Sequence, residues 1–127
     1  MNVNNELEIY GNISELIFFY NNFNFKNIYK PPSYLIDYYE LKEWCYKNWG
    51  TDKEMKLLHK ILVNDNLEQK VSFSFQTNYP PLKIIDYFSK KNPHLTINLY
   101  YDDYYDYINA LFEWNNGIME NHYYQDL

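Results

Sequence analysis

A chain of 127 residues that is 46% hydrophobic and 21% aromatic has room for one two-layer core and no second domain, and it is too apolar for a disordered acidic tail. Its formal charge of -6 comes from 17 acids set against 11 lysines and no arginine, so the bidentate fork that grips phosphate or guanine is missing. A single cysteine, Cys45, excludes an internal disulfide and fits a buried thiol in a reducing compartment.

No apolar run reaches the roughly 18 residues of a membrane span. The opening Met1-Asn2-Val3-Asn4-Asn5-Glu6 has neither a basic nor an apolar leader region, so a cytoplasmic protein with no membrane contact is expected.

In chain order, Glu6-Leu7-Glu8-Ile9-Tyr10 alternates as a strand and stops at Gly11. Asn12 with Glu15 three residues on reads as a helix start. Ile13, Leu16, Ile17 and Tyr20 then mark one face of a helix over 12–22. An Asn-rich connection over 21–27 and Pro31-Pro32 lead to Ser33, expected to cap a second helix to Lys47 with Leu35, Tyr38, Leu41, Trp44 and Cys45 inward. Gly50 is placed for a left-handed C-cap.

Lys56–Val63 has a mixed pattern. Asn64-Asp65-Asn66 and the strand that follows make it the first arm of a hairpin. Val71, Phe73, Phe75 and Thr77 alternate with Ser72, Ser74 and Gln76, a strand with one polar face. Pro80-Pro81 opens a third helix lined by Leu82, Ile85 and Phe88.

Leu95, Ile97, Leu99 and Tyr101 form the next strand, with the acidic tyrosine run expected as its exit loop. Ile108, Ala110, Phe112 and Trp114 alternate up to Asn115-Asn116-Gly117, a hairpin signal, and a last strand covers 118–124. The whole reads as one α+β domain, an antiparallel sheet of five to six strands with helices on its apolar face and the other face solvated.

After Lys91 no lysine or arginine occurs. The last 36 residues hold six carboxylates and seven tyrosines, densest over 100–107. Such a surface repels phosphate, so direct nucleic acid binding is not expected. It attracts basic partners, and tyrosine is a common interface anchor. The candidate partner-binding residues are Tyr100, Asp102, Asp103, Tyr104, Tyr105, Asp106 and Tyr107, with Glu113 and Glu120 as flanking charges. Reversing Asp102, Asp103 and Asp106 to lysine is expected to leave folding intact. The bland alternative is A/T-rich codon usage, which explains abundant tyrosine but not the disappearance of lysine.

The competing site is an aromatic ligand pocket, enzymatic or not, built from Trp49, Thr51, Thr77 and Tyr79. Each of these residues also has a local packing role. Cys45, His59, His94 and His122 lack the spacing of a zinc half-site, Asp102-Asp103-x-x-Asp106 lacks the glycine and glutamate of a calcium loop, and no nucleophile elbow or phosphate loop is present. No metal, no cofactor and no catalysis are expected. A homodimer through the sheet edge or the tyrosine loop is a third reading.

Landmarks across nearly the whole length are similar to the YubB-type ferredoxin-like domain family of phages, plasmids and other mobile elements, which has no assigned family-wide biochemistry. They are Asn5-x-Leu7-x-Ile9-x-Gly11, Pro31-Pro32, Trp44-x4-Trp49-Gly50-Thr51, Phe75-x-Thr77-x-Tyr79-Pro80-Pro81, Phe88-Ser89-x3-Pro93-x-Leu95, Leu99-Tyr100-Tyr101-Asp102 and Asn116-Gly117. The resemblance implies a ferredoxin-like fold and a small mobile-element protein. Members typically carry lysine and tryptophan after Trp-Gly-Thr, where Asp52-Lys53 stands here. They also tend to carry glycines after the Tyr-x-Asp segment, where Tyr104, Tyr105 and Tyr107 stand. Together with the charge pattern, this points to a protein that inhibits a host nucleic-acid-handling or CRISPR-type defence component by occupying its basic groove.

Overall fold

Alternation of Val3, Asn5, Leu7 and Ile9, all buried, makes β1 (Val3–Tyr10) start three residues earlier than its most regular stretch. The computed structural model describes residues 1–126, the side chain of Asn121 excepted. After β1 come α1 (Ile13–Asn22), α2 (Phe25–Ile28), α3 (Tyr38–Trp49), β2 (Lys56–Asn64) and β3 (Gln69–Thr77). Then follow α4 (Leu82–Lys91), β4 (Thr96–Asp103), β5 (Ile108–Asn115) and β6 (Ile118–Asp126). The class is α+β, with one antiparallel sheet of six strands in the order β2-β3-β1-β4-β5-β6. That order is not a simple ferredoxin sheet, because the β5–β6 hairpin extends it beyond β4.

The core is aromatic. Phe23 stacks on Phe73 with ring centroids 4.8 Å apart, Phe25 meets Phe75 edge-on at 5.9 Å, and Phe19 meets Phe88 at 5.1 Å, separations in the favourable range for ring pairs. Ile84, Ile85 and Phe88 of α4 are buried with Leu95, Ile97, Leu99, Phe112 and Trp114.

The expected caps hold at two helices. Asn12 Oδ1 accepts the Glu15 N–H at 3.0 Å, and Gly50 at φ 87 ends α3 in the left-handed conformation, where an added Cβ would lie 3.0 Å from the Pro80 carbonyl oxygen.

Three local expectations need correction. The second long helix begins after Asp37 rather than Ser33, because the Asp37 carboxylate accepts two amides, Tyr39 and Glu40, at 3.0 Å each. The 21–27 connection contains the short helix α2, whose first amides, Phe25 and Lys26, donate to the carboxylate of Glu54 at 2.8 and 2.9 Å. Ile17 and Tyr38, expected on the inner faces of α1 and of the second long helix, are exposed.

Asn116 at φ 55 and Gly117 at φ 77 give the two left-handed residues of a tight hairpin. No helix among the described residues is long and apolar enough to cross a membrane.

Candidate interaction surface

The pleat of β4 divides its residues between two faces. Ile97, Leu99, Tyr101 and Asp103 are buried, while Thr96, Asn98, Tyr100 and Asp102 point the other way. The alternation read from the sequence through Asp102 holds, the strand runs one residue further to Asp103, and residues 104–107 form its exit turn.

Asp103 has to be reassigned. It is buried, and its Oδ1 accepts the backbone N–H of Tyr105 at 3.0 Å and of Asp106 at 3.3 Å. This is an Asx-type turn, so the carboxylate shapes the loop instead of facing a partner. Reversing it to lysine would break the turn, contrary to the sequence-based expectation. The loop is tied a second time where the Tyr104 N–H donates to the Asn2 carbonyl at 3.0 Å. Tyr107 closes it at φ 55, left-handed backbone that a residue with a Cβ seldom adopts. Held this way, Tyr104, Tyr105, Asp106 and Tyr107 are all exposed, Tyr105 by 74%.

Register sets what lies beside the turn. On the outer face Tyr100 stands opposite Leu111, and Leu111 opposite Tyr123, an apolar strip across β4, β5 and β6 with both rings exposed. On its other side Tyr100 is opposite Glu6 of β1, and Glu6 is opposite Ser74, whose hydroxyl donates to Glu6 Oε1 at 2.5 Å. Glu6 has no lysine partner among the described residues, whereas Glu8 pairs with Lys70 at 2.7 Å. The negative surface therefore draws on the N-terminal strand as well, which strand spacing alone could not reveal.

Glu113 is half-buried further along β5, opposite Asn98. Glu120 accepts from Asn115 Nδ2 at 3.0 Å near the hairpin, the full length of β5 away from the 104–107 turn. It does not flank that turn.

Three of the four residues of the competing pocket meet, but through buried hydrogen bonds and not around an open cavity. Thr51 and Thr77 are fully buried. Thr51 Oγ1 accepts the Tyr79 N–H at 3.2 Å, and the Thr77 hydroxyl donates to the Tyr79 carbonyl at 2.7 Å. Trp49 is buried and bonded elsewhere, its indole N–H donating to the Tyr29 carbonyl at 2.9 Å. Tyr79 alone is exposed. Its ring meets Tyr46 edge-on at 5.1 Å and lines one groove with Lys83, Tyr105 and Asp106. The two sites expected separately thus touch at Tyr79.

Tyr101, beneath this surface, is stacked on Phe112 with centroids 6.0 Å apart. Burial raises its phenol well above the ordinary value of 10.0, and the charges of Tyr124, Asp103 and Asp106 push the same way. Burial likewise pushes the Cys45 thiol up to about 11, with Glu54 and Asp52 adding to it, so it is a poor nucleophile at neutral pH. Cys45, His59, His94 and His122 stand apart, on α3, on β2, in the α4–β4 connection and on β6, where the His122 ring stacks on Phe112 with centroids 5.9 Å apart. His94 Nε2 lies 2.6 Å from Glu15 Oε2. No group of three His, Cys, Asp or Glu side chains able to hold a metal ion occurs among the described residues.

No protein-family model matches the chain, and neither a curated protein nor a solved structure is found to be similar to it.

Proposed function

We propose that this protein works by binding a basic protein partner through the tyrosine-rich acidic end of its sheet, and that the partner is a host nucleic-acid-handling or defence component of the CRISPR type whose groove it occupies. The protein blocks rather than catalyses, in the cytoplasm of the host cell, as a mobile-element product of the YubB-type family. Its first four strands, in the order β2-β3-β1-β4 with α1 to α3 and α4 as the two connections, are a ferredoxin-like core to which β5 and β6 are added.

One observation carries the reading. Four exposed residues, Tyr104, Tyr105, Asp106 and Tyr107, sit on a turn fixed from within by Asp103, beside Asp102 and Glu6 and in a segment without lysine. A pre-shaped loop loses little entropy on docking. Rings supply desolvated area while carboxylates take the place of phosphates, and the long-range field speeds encounter and fades with salt.

The test is capture from host extract by the native protein and by the D102K/D106K variant, which spares Asp103. A nucleic-acid-binding protein should be retained by the native form, displaced by a single-stranded oligonucleotide, and lost with the variant. Equal retention by both forms would overturn the proposal.

A further inference from the structure

Away from the acidic face, the segment 30–36 crosses α3 and encloses a groove of about 530 Å³ with it, within the range of small-molecule sites. The helix supplies the floor: Leu41, Cys45 and Trp49 recur at four-residue steps on one face, and Cys45 and Trp49 are almost wholly buried beneath it. Pro31, Pro32 and Leu35 form the roof. The sequence pattern points this apolar helix face at the sheet. In the structure α3 packs mainly on α4, and its own preceding segment covers the face.

Charge at the rim is opposite to that of the protein. Four lysines, Lys26, Lys30, Lys42 and Lys53, meet two carboxylates, Asp52 and Glu54, in a chain whose net charge is -6. Both carboxylates are engaged, Asp52 with Lys42 at 3.3 Å and Glu54 with the Phe25, Lys26 and Met55 amides at 2.8 to 3.0 Å. Lys26, Lys30 and Lys53 have no acidic partner among the described residues. Roof hydrogen bonds are local, Leu35 N–H to the Pro32 carbonyl at 3.1 Å and Ile36 N–H to the Tyr34 carbonyl at 3.0 Å. The roof can therefore shift without breaking a bond to the body.

We infer that this groove binds a small amphiphilic organic anion, a ring or short chain lying on Leu41, Cys45 and Trp49 with a carboxylate held by Lys26, Lys30 and Lys53. Apolar contact provides most of the affinity, and the lysines select the headgroup. The site is independent of the acidic sheet end.

Decanoate, kept below its micelle concentration, is the probe, with decanol and decyltrimethylammonium as neutral and cationic partners of equal chain length. Binding is followed by tryptophan fluorescence, since Trp49 forms the floor and Trp44 lies 6.0 Å from it. Decanoate should saturate one site at least about tenfold more tightly than either companion, and K30Q/K53Q should weaken it about tenfold with an unchanged melting temperature. D102K/D106K should bind decanoate as the native protein does, which separates this site from the partner surface. Equal affinity for the three headgroups, no response to K30Q/K53Q, or no saturable binding would each overturn the inference.

Discussion

The Asn5 amide donates to Thr77 Oγ1 at 3.0 Å across the β1–β3 pair, wholly inside the protein. Thr77 passes the bond on to the Tyr79 carbonyl at 2.7 Å, so one hydroxyl satisfies a buried donor and a turn acceptor together. Thr77→Val keeps the shape and removes both bonds. It should cost about 1–3 kcal/mol, read as a lower urea midpoint, while Thr77→Ser stays nearer the native value. Equal midpoints for native protein and T77V would show the pair to be energetically idle.

Asp103 and Asp106 differ in what their carboxylates do, and substitution should separate them. Asp103→Ala removes the acceptor for the Tyr105 and Asp106 amides, so those amides should exchange faster with solvent and stability should fall by about 1 kcal/mol or more. Asp106→Ala, at an exposed position, should stay within about 0.5 kcal/mol and weaken only partner binding.

Tyr107 occupies left-handed backbone at φ 55, a conformation about 1–2 kcal/mol less favourable for a residue with a Cβ than for glycine. Its ring is exposed and contributes little to the core. Tyr107→Gly should therefore leave the melting temperature level or raise it slightly, even though a large side chain is lost. Partner retention should fall. A marked loss of stability would mean that the ring is held by the fold itself.

Stability should decline in alkali. Below pH 9 both Cys45 and Tyr101 are protonated in either state. Above it the unfolded thiol, with an ordinary value of 9.0, ionises while the folded one keeps its proton to about 11, and the unfolded phenol follows from 10.0. The native state then binds more protons than the unfolded state, so unfolding free energy decreases as pH rises. Chemical denaturation at pH 8, 9.5 and 10.5 should show the decline, and Tyr101→Phe should flatten the part above pH 10.

The sequence disclosed most where a single element settled its own conformation. Val71, Phe73, Phe75 and Thr77 are all buried as their alternation requires, and Asn116-Gly117 makes its turn through backbone angles those residues tolerate. Longer reach was illegible. Near Phe25 the local start signal of α2 is Asn24, whose side chain accepts the Asn27 amide at 2.7 Å within an Asn-rich stretch, while the carboxylate that receives its first amides belongs to Glu54, 29 residues on from Phe25. Ser33 looked like a helix start because proline preceded it, but Asp37 offers the stronger acceptor to two amides. At the interaction surface the tyrosines and Asp106 were identifiable from composition. The inward turn of Asp103 and the arrival of Glu6 beside Tyr100 depended on strand direction and register.

The central place of β1 governs how quickly the protein can form. It is flanked by β3 and β4, with Tyr10 opposite both Lys70 and Thr96 and Val3 opposite both Thr77 and Asp103, so its pairing is complete on one side only once Thr77 exists and on the other only once Asp103 does. Pairings so far apart in sequence must offset a large closure entropy, which places the chain among domains that fold in about milliseconds to seconds. Leu7 and Ile9 lack their neighbours on the β4 side until Leu99 and Ile97 are in place. A chain interrupted in the α4–β4 connection is left with an unpaired edge along β1, open to association with other chains.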